Sequence, residues 1–148
     1  MPVDRRDGRQ PALLGNGTLT CMAPADRVVE FLSSIGQVDV DRLADYWTDD
    51  FVLELPYADP PRMLEGKPAV CAYLREALDL FQLRLRVTDV YLCPDRDVVV
   101  AEYVSDGYVT TTGKPYENRY IGVFMFRGEN VSWQREFYNP LPARRALS

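Results

Sequence analysis

The fold is decided by three segments in the second half of the chain, which read VVVAEYVSDGYV at residues 98–109, YENRYIGVFMF at residues 116–126 and VSWQREFY at residues 131–138. Apolar and polar side chains alternate through much of each segment, and a period of two is typical of β-strands. The turn-forming sequence RGEN at residues 127–130 joins the last two segments. With a further candidate at residues 83–92, the pattern predicts a run of antiparallel strands.

Helical periodicity precedes these strands. The spacing of apolar residues predicts a first helix at residues 25–35 and a short second helix that turns Tyr46 and Trp47 toward the interior, followed by a short strand at residues 51–55. A third helix is predicted from Pro68. Its apolar stripe comprises Val70, Tyr73, Leu74, Ala77, Leu78 and Phe81. Helices followed by a run of strands indicate the α+β class, with helices on one face of a curved antiparallel sheet.

Two segments lie outside these elements. Residues 1–22 mix charged residues with Gly, Pro and Asn without a sustained period, which predicts a flexible N-terminal tail before a single domain at residues 23–148. Residues 56–63 read PYADPPRM, and three prolines disfavour a regular ladder there. We expect this second segment to form the rim of a pocket or a lid over it.

The composition excludes several classes of function. The chain has no histidine, which removes Ser-His-Asp and Cys-His nucleophilic systems and the usual imidazole zinc sites. Proton transfer is therefore left to Asp, Glu, Tyr, Lys or Cys, and we expect no metal site. A net charge of -5, without a basic run interleaved with aromatic residues, disfavours nucleic acid as a partner.

The cysteines and the apolar runs predict the location of the protein. Cys21, Cys71 and Cys93 are odd in number and far apart, so we expect free thiols in a reducing cytoplasm. The N-terminal sequence lacks the apolar stretch of a signal peptide. No run approaches the roughly 20 apolar residues of a membrane helix, so a cytoplasmic protein without membrane contact is expected.

The faces of the last two strands predict an assembly. On residues 116–126 one face reads Tyr116, Asn118, Tyr120, Gly122, Phe124 and Phe126, and the other reads Glu117, Arg119, Ile121, Val123 and Met125. On residues 131–138 strict alternation puts Val131, Trp133, Arg135 and Phe137 on one face and Ser132, Gln134, Glu136 and Tyr138 on the other. A sheet with helices on one side and apolar groups on the other usually buries that second side. We therefore expect a homodimer through the outer sheet face.

The chain resembles SnoaL-like proteins of the nuclear-transport-factor-2-like superfamily over about residues 25–145. The segments that carry the resemblance are YWTDDF (46–51), ELPYA (54–58), LEGK (64–67), TGKPYEN (112–118) and REFYNP (135–140). The YEN and REF sequences, followed by RALS at residues 145–148, look most like the phenazine-biosynthesis A/B proteins. The same C-terminal sequence also fits SnoaL-like cyclases of natural-product pathways.

The resemblance implies a cone-shaped, cystatin-like α+β barrel in which a curved sheet and three helices enclose one apolar pocket. Members of the family are usually homodimers without metal or organic cofactor. An acidic residue on the last strand performs proton transfer in the phenazine proteins and in limonene epoxide hydrolase, and Glu136 stands at the matching position.

The sequence also departs from related enzymes. Tyr103 and Ser105 stand where limonene epoxide hydrolase needs Arg and Asp, and Leu55 stands where ketosteroid isomerase keeps its Asp before a proline. Tyr73 stands where the phenazine proteins place a His. These departures disfavour plain epoxide hydrolysis and steroid isomerisation, and they leave a phenol in place of an imidazole.

The candidate site combines one carboxyl group with several phenols. Glu136, Tyr46 and Tyr103 are the predicted catalytic residues, because burial raises the pKa of a carboxyl and neutral phenols can polarise an oxygen. Each also has a structural alternative, an ion pair for the Glu or packing for a Tyr. The predicted substrate-binding residues are Tyr73, Tyr91, Asn118, Tyr120, Gln134, Trp47 and Leu55. Alternation places Glu102 on the face opposite to Tyr103.

The sequence is compatible with three functional hypotheses. The leading hypothesis is a cofactor-independent cyclase or isomerase of natural-product biosynthesis that closes or rearranges a ring in a small apolar oxygenated substrate, such as an epoxy-alcohol. The first alternative is a phenazine-type condensation or dehydration of an amino ketone, which needs a cation in the pocket, and no Arg or Lys lies clearly on an inward face. The second is a non-catalytic module that binds a small molecule or a partner.

Overall fold

The computed structural model describes residues 22–148, so the predicted tail, apart from Met22, lies outside the described residues. The elements are α1 (Pro24–Ser34), α2 (Val40–Leu43), β1 (Trp47–Leu55), β2 (Arg62–Glu65), α3 (Lys67–Leu80), β3 (Phe81–Cys93), β4 (Val98–Val109), β5 (Pro115–Arg127), β6 (Asn130–Tyr138) and α4 (Pro140–Leu147). The α+β class is confirmed, with four helices instead of the expected three.

The six strands form one curved, unclosed sheet in the order β2-β1-β6-β5-β4-β3. Neighbouring strands are antiparallel except β1 and β6, which run parallel. The expectation of a purely antiparallel sheet is therefore wrong for this pair. Parallel neighbours need a long crossover, and here the crossover contains α3 and all the strands between β1 and β6.

The helices cover the concave face of the sheet and build the core there. Helix α1 packs against β3 and β4, while α3 packs against β1, β2 and β3. Phe31 of α1 makes edge-to-face contacts with Trp47 and with Phe124, and Trp47 stacks on Phe51 with ring centroids 4.7 Å apart. All four rings are buried, so this aromatic cluster forms part of the core between the sheet and the helices.

The predicted second helix is shorter than expected. Helix α2 ends at Leu43 and a 3₁₀ turn follows at Ala44–Tyr46. Trp47 then opens β1 instead of ending a helix. Its side chain does face the core, where it is 1% exposed, but from a strand. Tyr46 lies on the turn and faces α1.

Two β-bulges change which residues face the core. In β6 the pairing passes from Val131 to Trp133, so Ser132 is the extra residue and Val131 faces inward, on the same side as Gln134. In β3 the pairing passes from Val87 to Asp89, so Thr88 is the extra residue. Each bulge moves the following residues to the other face, and strict alternation is wrong at both points.

Two elements were not predicted. Helix α4 begins after Asn139, whose side chain accepts a hydrogen bond from the backbone of Leu141, and Pro140 occupies its first turn. Asn followed by Pro is a recognisable start signal for a helix. The predicted rim segment extends into β2, where Arg62 and Met63 pair with β1.

No helix among residues 22–148 is long and apolar enough to cross a membrane. Cys71 is buried on α3, Cys93 is exposed at the end of β3, and both are free thiols. The predicted thiol of Cys21 lies outside the described residues.

Candidate functional site

A cavity of about 160 Å³ lies between the concave face of the sheet and the helices. Its apolar wall includes Phe31, Ile35, Phe51, Val70, Leu74 and Leu83. Its polar wall consists of Tyr73, Tyr116, Tyr120, Gln134, Glu136 and Tyr138. Glu136 is the one carboxyl group in this wall, so any acid-base chemistry in the cavity depends on it.

The strand pairing explains where Glu136 stands. One row across the sheet consists of three tyrosines on neighbouring strands, Tyr103, Tyr120 and Tyr138. The next row holds Ala101, Gly122 and Glu136. Because two members of this row are the smallest residues, space remains above the sheet beside Glu136. The tip of the Tyr103 ring enters that space.

Tyr103 donates a short hydrogen bond from its hydroxyl to Oε1 of Glu136. Burial raises the pKa of Glu136, because the ionised carboxylate loses its hydration, and the bond from Tyr103 partly opposes this by stabilising the charge. Burial and the adjacent carboxylate together raise the pKa of Tyr103 well above its usual value. Tyr103 is therefore a neutral donor, and Glu136 is a carboxyl whose pKa is raised toward neutrality.

Two further phenols stand in the cavity near this carboxyl. Burial raises the pKa of Tyr73, and the charge of Glu136 raises it further. The same two causes, in the same order, raise the pKa of Tyr138. Both side chains therefore keep their protons at neutral pH and can donate a hydrogen bond to an oxygen in the cavity. Tyr138 was not among the predicted site residues, although alternation put it on the same face as Glu136.

A chain of hydroxyl groups extends along the sheet away from Glu136. Tyr120 donates to Oγ of Ser105 over 3.0 Å and lies 3.0 Å from the hydroxyl of Tyr116. Asn118 donates to Oη of Tyr116 over 3.0 Å and to the backbone carbonyl of Asn139 over 2.8 Å. This network satisfies buried polar groups and ties β5 to the start of α4.

The sequence matches the family model of the SnoaL-like domain over residues 28–133. The chain belongs to the SnoaL-like domain family. Two relatives extend the similarity. The uncharacterised Bacillus subtilis protein YesE is 31% identical over 121 residues, which cover 80% of this chain and 82% of YesE. An uncharacterised PhzA/B-like protein of Pseudomonas aeruginosa is 36% identical over 111 residues, which cover 68% of this chain and 76% of that protein.

A solved structure shares the SnoaL-like architecture along most of the chain. A Bacillus subtilis protein provisionally named an isomerase superposes with a TM-score of 0.78 at 30% sequence identity. The match covers 84% of this chain and 92% of that protein. The similarity therefore extends along most of both chains and is not restricted to one motif.

The SnoaL-like cavity gathers some of the predicted site residues and omits others. Glu136, Tyr73, Tyr120, Gln134 and Trp47 line it. Tyr103 stands behind Glu136 and holds it rather than forming the wall. Asn118 belongs to the hydroxyl network and does not line the cavity. Leu55 is buried in the core, and Leu53 of the same strand lines the cavity in its place.

Two predicted tyrosines lie outside the cavity. Tyr46 donates to Oε1 of Glu30 over 2.7 Å and packs on Phe31, so its hydroxyl points to the surface side of α1. Tyr91 is 51% exposed and donates to Oε2 of Glu102 on the outer face over 2.7 Å. Tyr91 faces outward because of the bulge at Thr88. Without this extra residue, Tyr91 would face inward, on the same side of the sheet as Val87.

No group of three acidic or cysteine side chains in the part of the chain that the structure describes is arranged to hold a metal ion. The polar groups of the residues lining the SnoaL-like cavity include a carboxyl, an amide and phenols. This set is suited to donating and accepting protons and to hydrogen bonding an oxygenated molecule.

Gly122 offers a test of how the site is supported. A Cβ atom added there would lie 2.6 Å from Cε2 of Phe124 and 3.0 Å from Oη of Tyr103. We expect Gly122→Ala to push Tyr103 away from Glu136, to lower turnover about tenfold and to cost about 1–3 kcal/mol of folding free energy through overpacking. Activity and chemical denaturation measured on one preparation check both effects.

The matched control is Gly128→Ala in the turn after β5, where an added Cβ meets nothing within 4 Å. Its positive φ of 64° makes the substitution destabilising by strain, without contact to the site. Normal turnover in Gly122→Ala would show that the Tyr103 position does not support activity.

Proposed function

We propose that this SnoaL-like protein is a cofactor-independent cyclase or isomerase of natural-product biosynthesis that closes or rearranges a ring in a small, largely apolar, oxygenated substrate. The observation that carries the proposal is the pair of Glu136 and Tyr103. The single carboxyl of the cavity is held by a buried phenol, the rest of the wall is apolar apart from phenols and the amide of Gln134, and the pKa of Glu136 is raised. Such a carboxyl both accepts and returns protons near neutral pH.

In the proposed mechanism Glu136 takes a proton from a hydroxyl or an activated carbon of the substrate and returns it to the oxygen that leaves or gains charge. Tyr73 and Tyr138 donate hydrogen bonds to that oxygen, since their raised pKa keeps them protonated. Tyr103 is a positioning residue, because it touches Glu136 and not the cavity. Tyr73 and Tyr138 thus take the oxygen-binding role that the sequence predicted for Tyr46 and Tyr103.

The dimensions of the cavity limit the reacting part of the substrate. A volume of about 160 Å³ is close to the roughly 150 Å³ of an engineered apolar cavity that binds benzene. The wall therefore encloses about one ring, with the aromatic side chains of Phe31, Trp47 and Phe51 packed around it. Holding a flexible substrate in one folded conformation removes part of its entropy before the reaction.

Turnover of a substrate panel tests the proposal. Monocyclic epoxy-alcohols, enones and amino ketones are incubated with the protein, and products are identified by mass and chiral separation. One ring product of defined stereochemistry supports the cyclase reading, and a shifted double bond supports isomerisation. Condensation of the amino ketones would support the phenazine-type alternative. Saturable binding without turnover of any compound would contradict an enzyme and support a binding module.

We further propose that two chains pair through the outer face of the sheet. The part of this face formed by β4, β5 and β6 carries half-buried apolar side chains, namely Val100, Val104, Val123, Met125, Trp133 and Phe137. Ile121 is 44% exposed near its centre, and Tyr57 packs edge-to-face on Phe137 at its border. Charged side chains such as Arg119 and Arg135 lie among them, but apolar side chains grouped on the outer side of a sheet are usually covered in solution.

Ile121→Glu is expected to convert the dimer into a monomer, because a charge at the centre of a self-complementary surface meets its own copy. Analytical ultracentrifugation of wild type and variant measures the mass. The matched control is Val29→Glu, which changes an apolar residue of 37% exposure on α1, on the opposite side of the sheet. A wild-type monomer at micromolar concentration would exclude the assembly.

A further inference from the structure

Arg62 faces the same side of the sheet as the cavity. It pairs with Leu55, which points into the core, and directly opposed residues of neighbouring strands share a face. The guanidinium carbon of Arg62 lies 5.5 Å from the ring centroid of Tyr73, which lines the cavity. The sequence placed no Arg or Lys clearly on an inward face, whereas the structure places Arg62, although exposed, on the cavity side of β2 at the rim of the cavity.

The position of Arg62 relative to Glu136 follows from the strand register. Arg135 pairs with Glu54, so the next residues, Glu136 and Leu55, lie side by side on β6 and β1. Leu55 in turn pairs with Arg62 on β2. Neighbouring strands are about 4.8 Å apart, so the backbones of Arg62 and Glu136 are separated by about 10 Å. The phenols of Tyr73 and Tyr138 stand at the cavity wall near both charges.

Arg62 has no acidic partner among residues 22–148. The ion pairs described there use other cations, Lys67, Arg75, Arg127, Arg135 and Arg144. The guanidinium carbon of Arg62 lies over the Tyr73 ring, and no N–H group of Arg62 donates a side-chain hydrogen bond within residues 22–148. These N–H groups form a planar fork that matches the two oxygens of a carboxylate.

We infer that Arg62 is the anion-binding residue of this cavity and that the substrate is a small cyclic molecule that carries a carboxylate. The ring occupies the apolar cavity beside Glu136, and the carboxylate extends about one strand spacing or more toward β2, where it meets Arg62. This inference rests on the proposed function, since it places the substrate in the same cavity, and it names the substrate class that the cavity shape alone leaves open.

Binding of a matched pair of probes, phenylacetate and phenylacetamide, tests the inference without turnover. The two compounds have nearly the same size, and only the first is anionic. Chemical-shift titration of the full chain gives the Kd of each. We expect phenylacetate to bind wild type about fivefold more tightly, the magnitude of a partly exposed ion pair, and Arg62→Gln to bind both probes equally. Arg62→Lys is expected to keep part of the preference, because it keeps the charge without the fork.

Two variants serve as controls for this titration. Arg84→Gln removes an exposed arginine on β3 and is expected to keep the full preference for phenylacetate. Glu136→Gln is also expected to keep the preference for phenylacetate. Loss of turnover in this variant can therefore be distinguished from loss of carboxylate recognition. Equal affinities in wild type, absence of saturable phenylacetate binding, or a preference that survives Arg62→Gln would overturn the inference. Arg62 would then be an inward charge that protects an edge strand.

Discussion

Glu136→Gln is expected to lower kcat by about 10²- to 10⁴-fold, the usual contribution of one general acid or base, while KM changes little. Glutamine has nearly the shape of glutamate, and its carbonyl oxygen can still accept the hydrogen bond from Tyr103. The substrate should therefore bind in the same place without a group that moves its proton. Steady-state kinetics on the substrate identified in the panel measures the loss.

Stability measurements separate this loss from misfolding. Burial raises the pKa of Glu136 in the folded protein above its value in the unfolded chain, so the fold loses stability as the pH rises from the unfolded pKa to the raised one and stays less stable above it. Below the unfolded pKa, near 4.3, both states are neutral and the effect vanishes. Glu136→Gln should therefore unfold at higher denaturant concentration than wild type at pH 8 and at nearly the same concentration at pH 4.

The matched control is Glu102→Gln, which removes the carboxylate that accepts the bond from Tyr91 on the outer face of β4. It is one strand position from Tyr103 but faces away from the cavity. We expect normal turnover from this variant. Full activity in Glu136→Gln, or equal losses in the two variants, would contradict the proton-transfer role of Glu136.

Tyr103→Phe is expected to lower turnover at neutral pH by about ten- to a hundredfold. A hydrogen bond to a charged group contributes about 1.5–3 kcal/mol, and each 1.4 kcal/mol is a factor of ten in rate. Without this bond the Glu136 carboxylate is less stable, so the pKa of Glu136 rises further. The limb of the pH-rate profile that belongs to Glu136 should therefore move to higher pH.

The direction of this pH shift separates positioning from simple packing. If Glu136 acts as a base, the acidic limb of kcat/KM moves upward, and if it acts as an acid, the basic limb moves upward. Tyr116→Phe is the matched control, because it removes a hydroxyl from the same cavity wall that has no bond to Glu136. A reduced rate with an unshifted profile in Tyr103→Phe would show that Tyr103 supports the fold and does not tune Glu136.

The main elements of the fold could be predicted from the sequence. Alternation predicted β4 with the same bounds as the structure, and β5 and β6 to within one residue at each end. Helical spacing and Pro68 predicted α3, which begins at Lys67. These signals are local, because each depends only on the chemistry of consecutive residues along one helix or strand.

Alternation in β6 grouped Glu136 with Gln134 and Tyr138 on one face, and the family resemblance implied that this face lines the pocket. The bulge at Ser132 does not disturb this grouping, because it precedes all three residues. The prediction that Tyr91 lines the pocket was wrong, because the bulge at Thr88 precedes Tyr91 in β3 and turns it to the outer face.

The tertiary structure alone decided which groups meet. Tyr103 reaches Glu136 across β5 because Gly122 leaves room between them, and Arg62 reaches Tyr73 because a short edge strand pairs with β1. Contacts of this kind depend on strand register and on the neighbours of a residue in space. Sequence periodicity determined the faces of most strands, and strand pairing determined the site, because a one-residue shift in pairing moves every following side chain to the other face.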